Sequence, residues 1–192
     1  GNFVITKDFE VDSAGLDLSN NPSIVFNGNG NQNVSAPEFK NITFSGKGNK
    51  NIKKNTVVKG RLTVEAEAIL VTEDKLTLVS DASGTASIAP IPATASVQGE
   101  VYYERYIPAG RLWRFIGWPL SGTTIANTWQ TSVHVTGPGT GGSLGGFNSN
   151  GFDWTAASSP SVYTYNESLN AGINNKWQAV TSTNTAISPT TG

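Results

Sequence analysis

The 192-residue chain carries 13 Lys and Arg against 14 Asp and Glu, a net charge of −1, so it has no bulk attraction for nucleic acid or anionic lipid. The absence of Cys excludes disulfides, thiolate metal sites and thiol nucleophiles. Charged residues are only 14%, against roughly 25% in an average soluble domain, while 37% apolar content suffices for a packed core in one large or two small β domains.

From the start of the chain, Phe3, Ile5, Phe9 and Val11 alternate with polar residues at period two, which predicts strands. Asp8, Glu10 and Asp12 fall on one strand face. Neighbours on such a face are ~7 Å apart, and a Ca²⁺ site needs a fuller oxygen cage, so they read as an exposed acidic edge.

The sequence then repeats itself. Ile24-Val25-Phe26-Asn27-Gly28-Asn29-Gly30-Asn31-Gln32-Asn33-Val34 returns eighteen positions later as Ile42-Thr43-Phe44-Ser45-Gly46-Lys47-Gly48-Asn49-Lys50-Asn51-Ile52, with six of eleven positions identical. A repeat of this length is one turn of a solenoid, too small to bury its apolar face until it stacks on the next. Phe26 over Phe44 would form the core, and Asn31 over Asn49 and Asn33 over Asn51 a ladder of side-chain amides. Gly28 with Gly46, and Gly30 with Gly48, would supply tight corners.

The basic run Lys47, Lys50, Lys53, Lys54, Lys59 and Arg61 reads as a solvated edge that discourages strand aggregation rather than as a polyanion site. Period two continues through Leu62/Val64, Ile69/Val71 and Leu76/Leu78. The Pro-containing stretch Ile88-Ala89-Pro90-Ile91-Pro92 then coincides with a change of composition, since all five Trp and all five Tyr lie beyond residue 100. The expected division is 1–95 and 96–192. In the second part, strands are expected over Val101–Ile107, Leu112–Trp118, Val133–Val135, Ser161–Tyr165 and Trp177–Val180, with a glycine-rich loop from Gly137 to Gly151. The coil period is lost, which favours an antiparallel sandwich.

Glu104-Arg105-Tyr106-Ile107-Pro108-Ala109-Gly110-Arg111-Leu112-Trp113-Arg114-Phe115, followed by Pro119-Leu120-Ser121-Gly122, resembles a segment of very large surface and secreted proteins of Bacteroidetes. Proteins of that class typically leave the cell by type IX secretion. The resemblance implies an extracellular or outer-surface location and contact with the type IX translocon during export. It brings no catalytic residues with it. The chain opens on Gly1 and closes on Ser188-Pro189-Thr190-Thr191-Gly192, and reads as part of a longer protein.

Enzymatic chemistry finds few residues. The single imidazole, His134, has no serine in a nucleophile-elbow pattern to serve. A glycosidase needs two facing carboxylates, and the second part offers Glu104, Asp153 and Glu167. Glu104 is expected to pair with an Arg, because Arg105, Arg111 and Arg114 lie among aromatics and need counter-charges or ring faces. At least three of the five Trp are expected in the core, with Trp154 the exposed one, beside Phe147, Phe152 and Asp153, as a surface for sugar rings.

The expectation is therefore an all-β chain: a right-handed parallel β-solenoid followed by an antiparallel β-sandwich-like domain. Its expected work is structural or adhesive rather than catalytic, with glycan binding as the alternative. Partners would be extracellular polysaccharide or other surface proteins, without cofactor, metal, nucleic acid or membrane insertion.

Overall fold

A computed structural model of the chain describes residues 2–11, 23–110, 112–117, 121–170 and 172–187. Asp12, Arg111 and Trp118 lie outside the described residues. Among those described the fold is all β, with short strands, two 3-10 turns and no α-helix. The chain divides into two compact units, Gly1–Gly110 and Arg111–Gly192.

The first unit contains β1 (Phe3–Ile5), β2 (Phe9–Glu10), β3 (Ile24–Phe26), β4 (Gln32–Ser35), β5 (Glu38–Phe44), β6 (Asn49–Ile52), β7 (Thr56–Val64), β8 (Ile69–Val71), β9 (Leu76–Leu78), β10 (Ser80–Asp81), β11 (Gly84–Thr85), β12 (Ser87–Ile88), β13 (Ser96–Gln98) and β14 (Val101–Tyr103). One sheet runs β1-β3-β5-β7-β9-β14, with β12 also on β7, and a second runs β2-β4-β6-β8-β13. Every pairing in both sheets is parallel. The chain visits the sheets in turn, and β10–β11 is an antiparallel hairpin on the way.

The repeat sets the register. Ile24 pairs Ile42 and Phe26 pairs Phe44 in one sheet, while Gln32 pairs Lys50 and Val34 pairs Ile52 in the other. Because side chains alternate across a strand, these apolar residues all point inward. Phe26, Phe44, Val34 and Ile52 are fully buried. The Phe26 and Phe44 rings stack with centroids 5.6 Å apart, and Phe39 meets Phe26 edge-on at 6.0 Å.

After a first step of 21 residues from Phe3 to Ile24, the pairing steps along this sheet grow: Ile24 pairs Ile42, Ile42 pairs Leu62 and Leu62 pairs Ile88, steps of 18, 20 and 26 residues. Part of the growth is a bulge in β7. Phe39 faces Val58 but Asn41 faces Arg61, so Lys59 and Gly60 together oppose Lys40. The last step takes in the β10–β11 hairpin.

The parallel pairing continues past the expected division at 95/96. Ser96–Gln98 lies on Ile69–Val71, and Val101–Tyr103 on Leu76–Leu78. Pro90 and Pro92 fall in the connection between β12 and β13, where no ladder donor is required, so they interrupt no sheet.

Of the two expected Asn pairs, Asn33 and Asn51 are joined amide to amide, while Asn31 accepts from the main chain of Asn49. The Asn49 backbone N–H donates to Asn31 Oδ1 at 2.9 Å, and Asn51 Nδ2 donates to Asn33 Oδ1 at 3.2 Å. Asp8 extends the second column, accepting from the Asn33 backbone and side chain at 2.8 and 3.0 Å. Those bonds hold its carboxyl below the usual aspartate range. Gly46 and Gly48 take left-handed angles, φ +70° and +83°, whereas Gly30 does not.

In the second unit the described strands are β15 (Thr123–Thr124), β16 (Tyr163–Tyr165), β17 (Trp177–Ala179) and β18 (Ala186–Ile187). They form two separate antiparallel ribbons, β15–β18 and β16–β17. No pair of stacked sheets is present among the described residues. Residues 112–117 are assigned to no strand, and Val133 follows a 3-10 turn at Trp129–Thr131, so neither expected strand forms there. The Val135 N–H that a strand would have used donates instead to Asp153 Oδ2 at 2.8 Å.

Candidate functional site

The second unit has a small core, Ile125, Val135, Phe152 and Val180, with Trp129, Val162 and Ile187 packed against it. Several of its other aromatics gather at the β16–β17 ribbon. Tyr163 pairs Ala179 and Tyr165 pairs Trp177, and strand alternation puts these on one face, with Thr164 and Gln178 on the other. Tyr165 and Trp177 meet with centroids 4.9 Å apart.

Two rings from the extended segment before the ribbon complete the group. Trp113 stands edge-on to Tyr163 at 5.3 Å, and Phe115 lies 5.4 Å from Trp177. Below them opens a cleft of about 200 Å³, with Arg114 and Thr185 among its lining residues. Trp113 is 75% exposed, Phe115 88% and Trp177 36%. Chemically this is an apolar floor with Tyr and Thr hydroxyls, an indole N–H and a guanidinium nearby.

The residues expected to face a ligand are placed differently. Phe152 is a core residue, 1% exposed, because its ring closes over the Val135–Val180 cluster. Trp154 is half-buried and Phe147 exposed. Phe147 and Asp153 form an isolated antiparallel bridge. Asp153 Oδ2 also accepts from Gln130 Nε2 at 3.1 Å, so its carboxylate ties two loops together. None of the four described Trp is fully buried, against the expected three, since Trp129 and Trp154 are half-buried and Trp113 and Trp177 exposed.

His134 lies beside this latch. Its Nε2 is 3.0 Å from the Trp154 carbonyl oxygen, which makes that nitrogen the donor, and Nδ1 is 3.9 Å from Asp153 Oδ1. Among the described residues no group of three or more His, Asp or Glu is placed to hold a metal.

The structural residues of the first unit fall as follows. Arg105 sits over the Tyr103 ring at 5.2 Å, and its Nη2 donates to the Tyr103 hydroxyl at 3.0 Å. Glu104 Oε2 accepts the Ser80 amide at 3.1 Å. The basic run is largely tied to neighbouring circuits: Lys47 to Glu67 at 3.8 Å, Lys59 to Glu38 at 2.7 Å, and Lys53 to Glu73.

Lys50 is not at an edge. It is fully buried, and its Nζ donates to the carbonyls of Gly28, Gly30 and Lys47 at 2.8, 3.2 and 2.7 Å. Burial pushes its ammonium pKa below the ordinary lysine value. Gln32 fills the same register position one circuit earlier, accepting from the Gly28 amide and donating to the Ile5 and Lys7 carbonyls.

The aromatic cleft was legible in part. Period two in Tyr163/Tyr165 and in Trp113/Phe115 marks each face, but no local signal brings residues 113, 163 and 177 together. No family model, curated protein or solved structure matches the chain.

Proposed function

We propose that the chain is a non-catalytic structural and adhesive module of a bacterial cell-surface or secreted protein, of the Bacteroidetes class exported by type IX secretion. In this reading the first unit is a right-handed parallel β-solenoid that acts as a stiff spacer. The observation that carries it is the in-register stacking of Ile24–Val34 on Ile42–Ile52. A stack of parallel rungs transmits load through many hydrogen bonds and exposes a long lateral surface to partners.

The second reading, glycan binding, draws support from the aromatic cleft rather than from Trp154. Exposed Trp and Tyr rings offer apolar faces to sugars, and polysaccharide or another surface protein would be the partner. A glycan array, with a glycosidase and lyase panel on the same protein, tests both. Binding lost in Trp177→Ala, at unchanged melting temperature, supports the glycan reading. Turnover abolished by His134→Ala or Asp153→Asn would overturn the non-catalytic one.

A further inference from the structure

The sequence contains three Asn-Gly steps, Asn27-Gly28, Asn29-Gly30 and Asn150-Gly151. Such steps are the most susceptible to spontaneous deamidation, because glycine has no side chain to obstruct attack by its own backbone nitrogen on the preceding side-chain amide. Whether the reaction occurs in a folded chain depends on whether that nitrogen and that amide are free.

Two of the three are locked. The Gly28 N–H is buried and donates to Gln32 Oε1 at 2.8 Å, and the Asn27 N–H donates to the Ile5 carbonyl at 3.1 Å. Gly151 holds φ +83° with its N–H on the Asn148 carbonyl at 3.0 Å, while Asn150 Nδ2 donates to the Pro138 carbonyl at 2.9 Å. Asn29-Gly30 differs on each point. Both residues are exposed, neither the Asn29 side chain nor the Gly30 N–H has a hydrogen bond among the described residues, and nothing lies within 4 Å of a β-carbon built on Gly30.

We propose that Asn29 is a site of selective, spontaneous deamidation. The Gly30 nitrogen, its proton taken by solvent hydroxide, attacks Asn29 Cγ; the bond from Cγ to the side-chain nitrogen breaks and ammonia leaves, closing a succinimide. Water then opens either ring carbonyl to give aspartate or isoaspartate at position 29. The isoaspartate route adds a methylene to the main chain between Gly28 and Gly30, whose carbonyls hold Lys50 Nζ, and so loosens the buried ammonium. One repeat later the equivalent step is Lys47-Gly48, which has no amide to lose.

The test is peptide mapping by mass spectrometry of the folded chain after prolonged incubation in mildly alkaline buffer, with melting curves on the same samples. The expected result is conversion at Asn29 well ahead of Asn27 and Asn150, isoaspartate included, with a lowered melting temperature in the aged sample. Two fold-compatible controls fix the site. Asn29→Lys, borrowed from the next repeat, abolishes conversion there, and Gly30→Ala slows it severalfold, since the corner has room for a methyl group. Comparable conversion at all three steps, or an unchanged Asn29 while another step reacts, would overturn the proposal.

Discussion

Lys50 is the residue whose surroundings are most demanding, because an ammonium taken out of water must find acceptors for all its protons. Three backbone carbonyls supply them. Lys50→Leu keeps the volume but leaves those carbonyls bare, and should destabilise the fold by about 1–3 kcal/mol. Lys50→Gln should cost less than about 1 kcal/mol, because Gln32 already does this work one rung earlier. Equal losses in the two variants, read by urea unfolding, would contradict the assignment.

Glu73 gives the acid counterpart at the same scale. Hydrogen bonds from Lys53 and then Lys75 hold its carboxyl at about 2, well below the ordinary 4.5. A depressed carboxylate contributes stability that is complete above the unfolded pKa and is lost as pH falls through the folded one. The melting-temperature gap between the wild type and Glu73→Gln should therefore be full above about pH 4.5 and close towards pH 2. A gap that persisted unchanged below pH 2 would exclude the ion pairs as its source.

Among the elements, β7 is under the tightest geometric constraint. A β-carbon at Gly60 would stand 2.5 Å from Asn41 Oδ1 and 2.6 Å from the Lys40 carbonyl, at the bulge itself. Gly60→Ala should cost about 1–3 kcal/mol through that clash, whereas Phe44→Ala should cost about 3–5 kcal/mol through the cavity it leaves. Both are measured by chemical denaturation; a neutral Gly60→Ala would mean that β5 and β7 pair without the bulge.

The same element shows what sequence could and could not reveal. Residues 24–34 and 42–52 repeat their inward side chains, so register, ladder and stacked rings followed from period and spacing alone. Gly60, an isolated glycine inside a strand pattern, hints at a bulge, but its place in the register appears only when β7 is laid against β5. The 101–103 strand reads as the start of a new domain because its composition changes, yet the backbone register it joins is indifferent to Tyr or Leu. In the second unit Leu112–Gly117 alternates like a strand but is not assigned to one, since propensity alone does not build a sheet.

Across the whole molecule the two units rest on different physics. The first buries a continuous cluster of Ile, Phe, Val and Leu between its parallel sheets. The second relies on a small core and on side chains bonded to loop backbone, such as Asn148 to Gly137 and Asp153 to Val135, and leaves Trp113, Phe115 and Phe147 at the surface.

Methyl NOE spectroscopy on selectively labelled protein reads out whether the written repeat is a spatial repeat. Parallel in-register stacking requires strong Ile24–Ile42 and Val34–Ile52 cross-peaks. Their absence, with Ile24 instead close to the Phe44 ring as antiparallel pairing would place it, would contradict the account.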